Sequence, residues 1–195
     1  MGKYTFKAYS KIFPELFLNE KVRILSSITT TLTIEHVGST SIPLLGGKGI
    51  IDIAISTYKK NFDIISLELQ KLGYTFKPTR STIDRLFFRA DLPDLEETLR
   101  RYHIHLTHPE SDDWKDFISF RDYLCTHPQE IENYAKIKKE AALEANQNGE
   151  KYRKMKEPIF QKIKSLLNTN NSSTVSVYIA TSTDDHIARE DETLN

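Results

Sequence analysis

Apolar residues recur every three or four positions near the start of the chain, and this spacing predicts a helix. The pattern runs from Ser10 to about Ser27, with charged residues between the apolar ones. Because one face of such a helix is apolar, we expect it to lie on a sheet. The same spacing in Asn61–Leu72 predicts a second helix that ends before Gly73, a residue type common just past a helix.

Five short runs have the composition of β-strands. Two of them, Thr33–Val37 and Ile50–Ile55, flank a glycine-rich segment. The other three, Tyr74–Lys77, Leu86–Ala90 and Tyr102–Thr107, are separated by turn-like residues and are predicted to be consecutive, largely antiparallel strands. This order of elements predicts an α+β fold, in which helices flank a mixed, largely antiparallel sheet.

Helical spacing returns in the last third of the chain. One helix is predicted to begin after Ser111 or Asp112, which can serve as its cap, and another begins at Pro128. A third is predicted over residues 150–167, where Pro158 is expected to kink the helix or to mark a break before it.

The end of the chain differs in composition from the rest. Residues 168–195 are rich in Asn, Ser, Thr and Asp and contain one short apolar run, Val175–Ala180. Such a composition favours a flexible polar tail, with at most one strand-like patch. The predicted organisation is therefore one domain, residues 1–167, followed by a tail.

The composition limits the class of protein. Lysine plus arginine and aspartate plus glutamate both number 27, a balance that does not favour nucleic acid or an acidic membrane as a partner. The single cysteine, Cys125, has no second cysteine for an internal disulfide. No apolar run approaches the roughly 20 residues that span a bilayer. Without an apolar signal segment at the start, the expected location is the cytoplasm; the patterns do not predict an oligomeric state.

The glycine-rich segment between the first two strands is the strongest candidate for a binding site. Residues 38–49 contain four of the seven glycines, together with Ser39, Thr40 and Lys48. Glycine lets the main chain approach a ligand closely, and exposed backbone N–H groups bind phosphate or another anion. The segment is not a P-loop, because Gly49 follows Lys48 where a P-loop has serine or threonine.

A single carboxylate, Asp52, interrupts the apolar strand that follows. A strand, then Gly38-Ser39, then a second strand with an acid resembles the nucleotidyltransferase arrangement, in which backbone groups hold phosphates and carboxylates hold a divalent ion. Ala54 stands where active members usually have a second carboxylate, so a Mg²⁺ or Mn²⁺ site at Asp52 needs another ligand. The alternative is a tight turn followed by a paired core acid.

Two histidines follow on a later strand. His103 and His105 alternate with apolar residues, so both imidazoles are predicted to face one side of the sheet. If this strand neighbours that of Asp52, the three side chains form a candidate metal site or a site of proton transfer. The alternative is a pair of ordinary hydrogen-bonded histidines.

Several cations are candidates for charge around a phosphate. They are Lys48, Arg85, Arg89 and Arg121. The alternative for Arg121 is a structural pair with Asp122. The lysines of the last helices interleave with glutamates, and most of them are interpreted as a solvated helix face. These lysines are Lys136, Lys138, Lys139, Lys151, Lys154 and Lys156.

An ordered set of motifs is similar to that of the GrpB family. The motifs are EHVGSTSIP, IIDI, LGY, HIH and FRDYL, followed by HP, Tyr134 and Lys138, and the similarity extends over residues 9–163. The resemblance implies a fold like the nucleotidyltransferase domain, which in this family occurs alone or fused to dephospho-coenzyme A kinase.

The resemblance also implies a set of site residues. The family pattern falls on His36, Gly38, Ser39, Thr40, Lys48, Asp52, His105, Arg121, Asp122, Tyr134 and Lys138. The chain departs from the usual pattern at two loop positions, where Leu44 replaces a glycine and Gly49 replaces a proline. Both departures lie in the loop expected to hold a phosphate.

Three hypotheses for function are compatible with these patterns. The first is a domain that binds a nucleotide or phosphorylated small molecule and transfers a nucleotidyl group with a divalent metal. Its predicted catalytic residues are Asp52, His105, Lys48 and Arg121; its predicted substrate-binding residues are His36, Gly38, Ser39, Thr40, Lys48, Arg89, Tyr134 and Lys138. The second is a non-catalytic phosphate-binding module with a degenerate metal site. The third is a metal-dependent hydrolase with Asp52, His103 and His105 as ligands.

Overall fold

The computed structural model describes residues 6–94, 96–144, 148, 150–152 and 154–167, and in this part of the chain helices flank one sheet. The helices are α1 (Phe13–Ser27), α2 (Phe62–Lys71), α3 (Asp112–Thr126) and α4 (Pro128–Glu144), and residues 150–152 and 154–167 are also helical. The strands are β1 (Thr33–Val37), β2 (Ile51–Ser56), β3 (Thr75–Phe76), β4 (Leu86–Pro93) and β5 (Leu99–Thr107). Short 3₁₀ turns cover Ser39–Ser41, Lys59–Asn61 and Pro78–Arg80.

The sheet places β2 next to β5 in its interior. The strand order is β1-β2-β5-β4-β3. Strands β2 and β5 run parallel, whereas the other neighbouring pairs are antiparallel. This mixed sheet with flanking helices confirms the predicted α+β fold. It also places Asp52 opposite His103, so the strand of the two histidines does neighbour the strand of Asp52.

One face of the sheet is apolar, and we call it the core face. Side chains at alternate strand positions pack there against α1 and α2, which explains the apolar stripes of these helices. The strand residues of this core include Ile34, Ile51, Ile53, Ile55, Phe88, Ile104 and Leu106. The helix residues include Phe13, Phe17, Ile24, Phe62, Ile65 and Leu69.

The opposite face carries the polar strand residues, and we call it the site face. In register, Asp52 lies opposite His103, and His103 lies opposite Arg89, so all three side chains point to this side. His105 is two residues further along β5 and shares the face. Helix α3 lies over this region, with the Phe117 ring centroid 4.6 Å from that of His105.

The ends of the helices largely follow the local signals. Gly73 has a φ of +90° just past α2, a conformation that suits glycine. The side chain of Ser111 caps α3, and α4 begins at Pro128, as predicted. Residues 154–167 are helical through Pro158, so the predicted break before this proline does not occur.

The loop between β1 and β2 is held from two sides. Lys7 and Gly47 exchange two backbone hydrogen bonds of 2.6 and 2.8 Å. On the other side, Arg100 Nη1 donates to the Gly49 carbonyl at 3.0 Å, and Arg100 Nε donates to Asp94 Oδ2 at 2.6 Å. The Arg100 and Asp94 side chains are only 1% and 0% exposed, so a buried ion pair connects the loop to the β4–β5 hairpin.

The chain divides into two compact units, Met1–Glu157 and Pro158–Asn195. The second is described only over residues 158–167, which are helical. The predicted tail, residues 168–195, and its apolar run Val175–Ala180 lie outside the described residues, and the boundary at residue 167 stays a prediction. Among the residues that are described, no helix has both the length and the apolar character needed to cross a bilayer.

Candidate functional site

The turn after β1 packs directly on the carboxylate of Asp52. Gly38 has a φ of +71° and leads into the 3₁₀ turn Ser39–Ser41. A Cβ built on Gly38 would lie 2.6 Å from Asp52 Oδ2, which is closer than atoms in contact approach. Glycine therefore meets two requirements here, the left-handed backbone and the close approach to the acid.

Both positions at which the loop departs from the usual GrpB pattern have a left-handed backbone. Leu44 has a φ of +68° and an exposed side chain, so the chain keeps at this position a conformation that glycine adopts more easily. Gly49 has a φ of +70°, which the ring of a proline would not permit. Leu44 thus has the positive φ that a glycine would adopt at this position. At position 49 the positive φ is incompatible with a proline.

Asp52 accepts a hydrogen bond from the neighbouring strand. His103 Nδ1 donates to Asp52 Oδ1 at 2.9 Å, and His105 Nε2 lies 3.9 Å from the same oxygen. Burial alone would raise the pKa of Asp52, but the hydrogen bond from His103 and the nearby N–H of His105 hold the pKa well below its usual range. The carboxylate is therefore ionised. His103 carries a proton on Nδ1, and in the neutral ring its Nε2 is an acceptor.

Arg85 determines which nitrogen of His105 carries the proton. Arg85 Nη1 lies 3.3 Å from His105 Nδ1, and because a guanidinium only donates, Nδ1 accepts and the proton is on Nε2, towards Asp52. Arg85 Nε in turn donates to Asp113 Oδ1 at 3.0 Å. Burial lowers the pKa of His105. This histidine is therefore a neutral donor in the arrangement.

The predicted metal ligands are close together, but their arrangement does not fit a metal ion. Asp52 Oδ1 accepts a hydrogen bond from His103, and His105 directs an N–H towards that oxygen. A metal ion needs lone pairs at these atoms. Within the described ranges, no group of three or more His, Cys, Asp or Glu side chains is placed to hold an ion. We derive no step through a metal, and Mg²⁺ or Mn²⁺ stays a prediction.

A buried lysine faces the glycine-rich loop. Lys138 on α4 is 2% exposed, and its Nζ donates to the Gly46 carbonyl at 2.5 Å. A Cβ built on Gly47 would lie 2.6 Å from Lys138 Nζ and 2.8 Å from Ser39 Oγ. The structure therefore brings together three parts of the predicted binding set, namely Lys138, Ser39 and the backbone of the loop.

Two further lysines lie near Lys138. Lys48 Nζ and Lys156 Nζ are 4.4 and 4.6 Å from the ring centroid of Tyr152, and we call Lys48, Lys138 and Lys156 the lysine cluster. Burial, followed by repulsion from Lys156, lowers the pKa of Lys138 to about 7 and that of Lys48 to about 8. Asp52 raises both of these pKa values, so the cluster and the acid share one neighbourhood.

His36 and Thr40 support the loop from the core side. His36 lies opposite Ile53 in register, so its ring points away from Asp52, and it stacks on Phe17 at 4.7 Å. Its Nε2 donates to Thr40 Oγ1 at 3.0 Å, and that hydroxyl donates to the backbone carbonyl just before β2 at 2.9 Å. Burial lowers the pKa of His36 to about 4, so the ring is neutral. Their predicted role in binding substrate stays a prediction.

Arg121 and Arg89, like Arg85, are held by acids. Arg121 Nη1 donates to Glu35 Oε2 at 2.7 Å, which connects α3 to β1, and Arg121 Nε donates to Asp122 Oδ1 at 2.8 Å. Arg89 pairs with Asp91. These contacts match the structural alternative given above for Arg121. They place neither guanidinium in contact with the glycine-rich loop.

Tyr134 lies one helical turn before Lys138 on α4. Its ring centroid is 5.3 Å from Lys138 Nζ and 5.7 Å from that of Phe120. Burial raises the pKa of Tyr134. The ring thus forms part of the wall around the buried ammonium group.

The sequence patterns did not single out Tyr152, Lys156 or Arg80 for the site. Lys156, interpreted with its neighbours as part of a solvated face, instead lies on the buried ring of Tyr152. Arg80 lies 3.6 Å from the ring centroid of Phe87 and lowers the pKa of Lys48. The four-residue spacing of Tyr152 and Lys156 was an available signal, because it puts both on one helix face. It does not indicate that this face approaches the loop.

A surface groove of about 450 Å³ lies elsewhere, between α1 and the β4–β5 hairpin. Its polar lining includes Glu20 and Arg23, which pair with each other at 2.7 Å. The hydroxyl of Tyr74 also donates to Glu20 Oε1 at 2.7 Å. The polar groups of this groove are hydrogen-bonded to one another. We therefore place the candidate site at the lysine cluster and the neighbouring Asp52, where several lysine side chains lie close together.

The fold and the site define a class of protein, an α+β domain with a glycine-rich loop and an aspartate–histidine pair on one face of a mixed sheet. The family model described as GrpB protein matches residues 3–166. The chain belongs to the GrpB family.

Several curated proteins are similar to this chain. UPF0157 protein BH1888 of Halalkalibacterium halodurans is 29% identical over 162 residues, which cover 82% of this chain and 80% of that protein. Glutamate-rich protein GrpB of Alkalihalophilus pseudofirmus is 31% identical over 144 residues, with 72% and 82% coverage. UPF0157 protein YqkA of Bacillus subtilis is 30% identical over 138 residues, which are 69% of this chain but 38% of that relative. The chain thus spans well under half of YqkA.

A solved structure has the same fold. The crystal structure of conserved protein GrpB from Enterococcus faecalis superposes with a TM-score of 0.71 and 24% identity, covering 83% of this chain and 95% of that one. This agreement confirms the five-stranded mixed sheet with its flanking helices as the family fold.

Proposed function

We propose that this protein binds a phosphorylated small molecule on the site face, with nucleotides as the first class to test. The observation that carries the proposal is the buried amino group of Lys138, which donates to the Gly46 carbonyl and lies, like Ser39 Oγ, within 3 Å of the place that a Cβ on Gly47 would occupy. A cation beside a glycine-rich backbone is a chemistry by which proteins hold phosphate oxygens. Lys48 adds a second positive charge from the loop itself.

Nucleotidyl transfer is a second candidate function, and the hydrogen bond from His103 to Asp52 favours it. This bond leaves the lone pair of His103 Nε2 as the acceptor of a proton. In the transfer, an acceptor hydroxyl oxygen bonds to phosphorus while its proton passes to His103 Nε2. The bond from phosphorus to the leaving phosphate oxygen breaks, and its electron pair stays on that oxygen.

The role of base belongs to His103 in this proposal rather than to His105. His105 already holds its proton on the nitrogen that faces Asp52, and its other nitrogen accepts from Arg85. His105 and Arg85 therefore position the carboxylate, and Asp52 positions His103. The step uses only side chains of this chain.

Thermal unfolding with a panel of nucleoside mono-, di- and triphosphates, with and without Mg²⁺ or Mn²⁺, tests the binding proposal. We expect at least one nucleotide to raise the Tm of the native protein. Lys138→Met keeps the buried volume but removes the charge. The increase in Tm that the nucleotide causes should therefore largely disappear in this variant. Lys136→Met, an exposed position on the same helix, is the matched control and should respond like the native protein. No shift in the native protein, or equal shifts in the two variants, would overturn the proposal.

Transfer is tested with a nucleoside triphosphate that binds, by following release of pyrophosphate, the leaving group when an acceptor hydroxyl attacks the α-phosphorus. Asp52→Asn keeps the size of the side chain but removes its negative charge. The proton of His103 is then no longer held on Nδ1 by a carboxylate. We expect this variant to bind the nucleotide and to lose turnover. Binding without turnover in the native protein would instead favour the non-catalytic module.

A further inference from the structure

The lysine cluster is assembled from three distant parts of the chain. Lys48 comes from the loop before β2, Lys138 from α4, and Lys156 from the helical residues that follow. Lys48 Nζ and Lys156 Nζ approach the Tyr152 ring at 4.4 and 4.6 Å from its centroid, and Tyr152 is only 4% exposed. The fold therefore gathers positive charges around one buried ring.

Repulsion among these groups disfavours their charged forms. Like charges that share a partly buried site repel, and Lys156 and Lys48 both depress the pKa of Lys138. Attraction between the amino groups and the face of Tyr152 offsets some of this repulsion. Clusters of perturbed charges of this kind are typical of functional sites.

The surrounding charges add to the positive potential. Arg80 and Arg101 both lower the pKa of Lys48, whereas Asp52 raises it. One carboxylate oxygen of Asp52 accepts a hydrogen bond from His103. A ligand that enters this neighbourhood therefore meets more than one cation at once.

We propose that Lys156 extends the phosphate site, so that the lysine cluster selects a ligand with two or more linked phosphates over a monophosphate. The inference rests on the proposed function, because it names the class of ligand for the same site. The phosphate nearest the loop meets Lys138 and Ser39, and the next meets Lys48 and Lys156 beside Tyr152. A single phosphate can meet only one of these two positions, whereas linked phosphates carry more negative charge and can meet both.

Titration calorimetry of the full chain with inorganic phosphate, pyrophosphate and tripolyphosphate, at constant ionic strength, tests this selection. We expect pyrophosphate to bind at least about tenfold more tightly than phosphate, since a charged hydrogen bond contributes about that factor. Lys156→Gln should weaken pyrophosphate binding by about tenfold and phosphate binding by less than about twofold. Lys156→Arg keeps the charge and should retain the preference.

Lys154→Gln is the matched control, because Lys154 lies on the same helix, is 77% exposed and pairs with Glu150 at 2.9 Å. It should leave all three affinities unchanged. Equal affinities for phosphate and pyrophosphate, or equal effects of Lys156→Gln and Lys154→Gln, would overturn the inference while the proposed function stands. Failure of the native protein to bind any of the three anions or any nucleotide would overturn both.

Discussion

At the scale of a single residue, Gly38 is where the geometry of the loop and the chemistry of the site depend on each other. Its φ is positive, and any side chain would collide with Asp52. Gly73 has a positive φ of +90° as well, but a Cβ there would meet nothing within 4 Å. The pair contrasts a glycine that has both a positive φ and a close contact with one that has a positive φ alone.

We therefore predict different losses for Gly38→Ala and Gly73→Ala. Gly73→Ala should lower the free energy of unfolding by about 1 kcal/mol, the cost of a left-handed alanine. Gly38→Ala should cost about 2 kcal/mol more, because Asp52 must move and its bond to His103 is disturbed. Urea unfolding of both variants measures the difference. Equal losses would show that the contact with Asp52 is not tight.

The sequence predicted the positions of some site residues but not the roles or positions of others. The period of two along a strand was enough to put His103 and His105 on one face, and the structure shows both beside Asp52. The different roles of the two imidazoles were not predictable, because they depend on Arg85, which lies just before β4 and about 20 residues away in the sequence. Lys156 was missed because helical spacing shows which residues share a face but not what that face meets.

At the scale of an element, the β4–β5 hairpin holds the loop through Arg100. The next residue, Arg101, offers a contrast within the same strand. Arg100 is 1% exposed and pairs with Asp94, whereas Arg101 is 34% exposed and pairs with Asp91. Two adjacent arginines thus make ion pairs in very different surroundings.

We predict that Arg100→Met lowers the free energy of unfolding by about 3–5 kcal/mol, because it leaves the carboxylate of Asp94 buried without its counter-charge. Arg101→Met should cost less than about 1 kcal/mol, since an exposed pair contributes little. Chemical denaturation of the two variants checks the contrast. The prediction is wrong if the adjacent arginines have similar effects.

The elements themselves were largely predictable, because each has a local signal. The bounds of β1 agree with the prediction, and α1 and α2 begin and end within three residues of it. Of the two outcomes expected at Pro158, a kink or a break, the break is absent, because the residues on both sides of the proline are helical. The parallel pairing of β2 with β5 has no local signal, since the residues that pair are far apart in the chain.

At the scale of the whole molecule, buried basic groups make stability depend on pH. Burial lowers the pKa of His36 to about 4 and that of Lys138 to about 7, from ordinary values of 6.5 and 10.5. Between the folded and the unfolded pKa of each group, the unfolded state binds more protons than the native state. Stability therefore rises with pH in each of these windows and falls as acid is added.

We predict that the free energy of unfolding increases from pH 4 to 6.5 and again from pH 7 to about 9.5, by up to about 1.4 kcal/mol per pH unit for each group. His36→Gln should flatten the first slope, and Lys138→Met should reduce the second. Urea unfolding at a series of pH values measures both slopes. Above pH 10 the trend should reverse, because burial raises the pKa of Tyr74 and Tyr134 and the unfolded state loses those protons first. A slope that is the same in Lys138→Met and in the native protein would contradict the prediction.

The parallel pairing of β2 with β5 has a consequence for how the protein folds. Strands β1 and β2 form one antiparallel pair and β3, β4 and β5 form another antiparallel group, each from nearby parts of the chain. The two groups meet where β2 pairs with β5, for example at Asp52 and His103, which are 51 residues apart in the sequence. Closing so long a loop costs more conformational entropy than forming either group alone, so we expect this junction to form late. A ligand held across Asp52 and His103 would then act mainly by slowing unfolding, because its binding site does not exist until the two groups have joined.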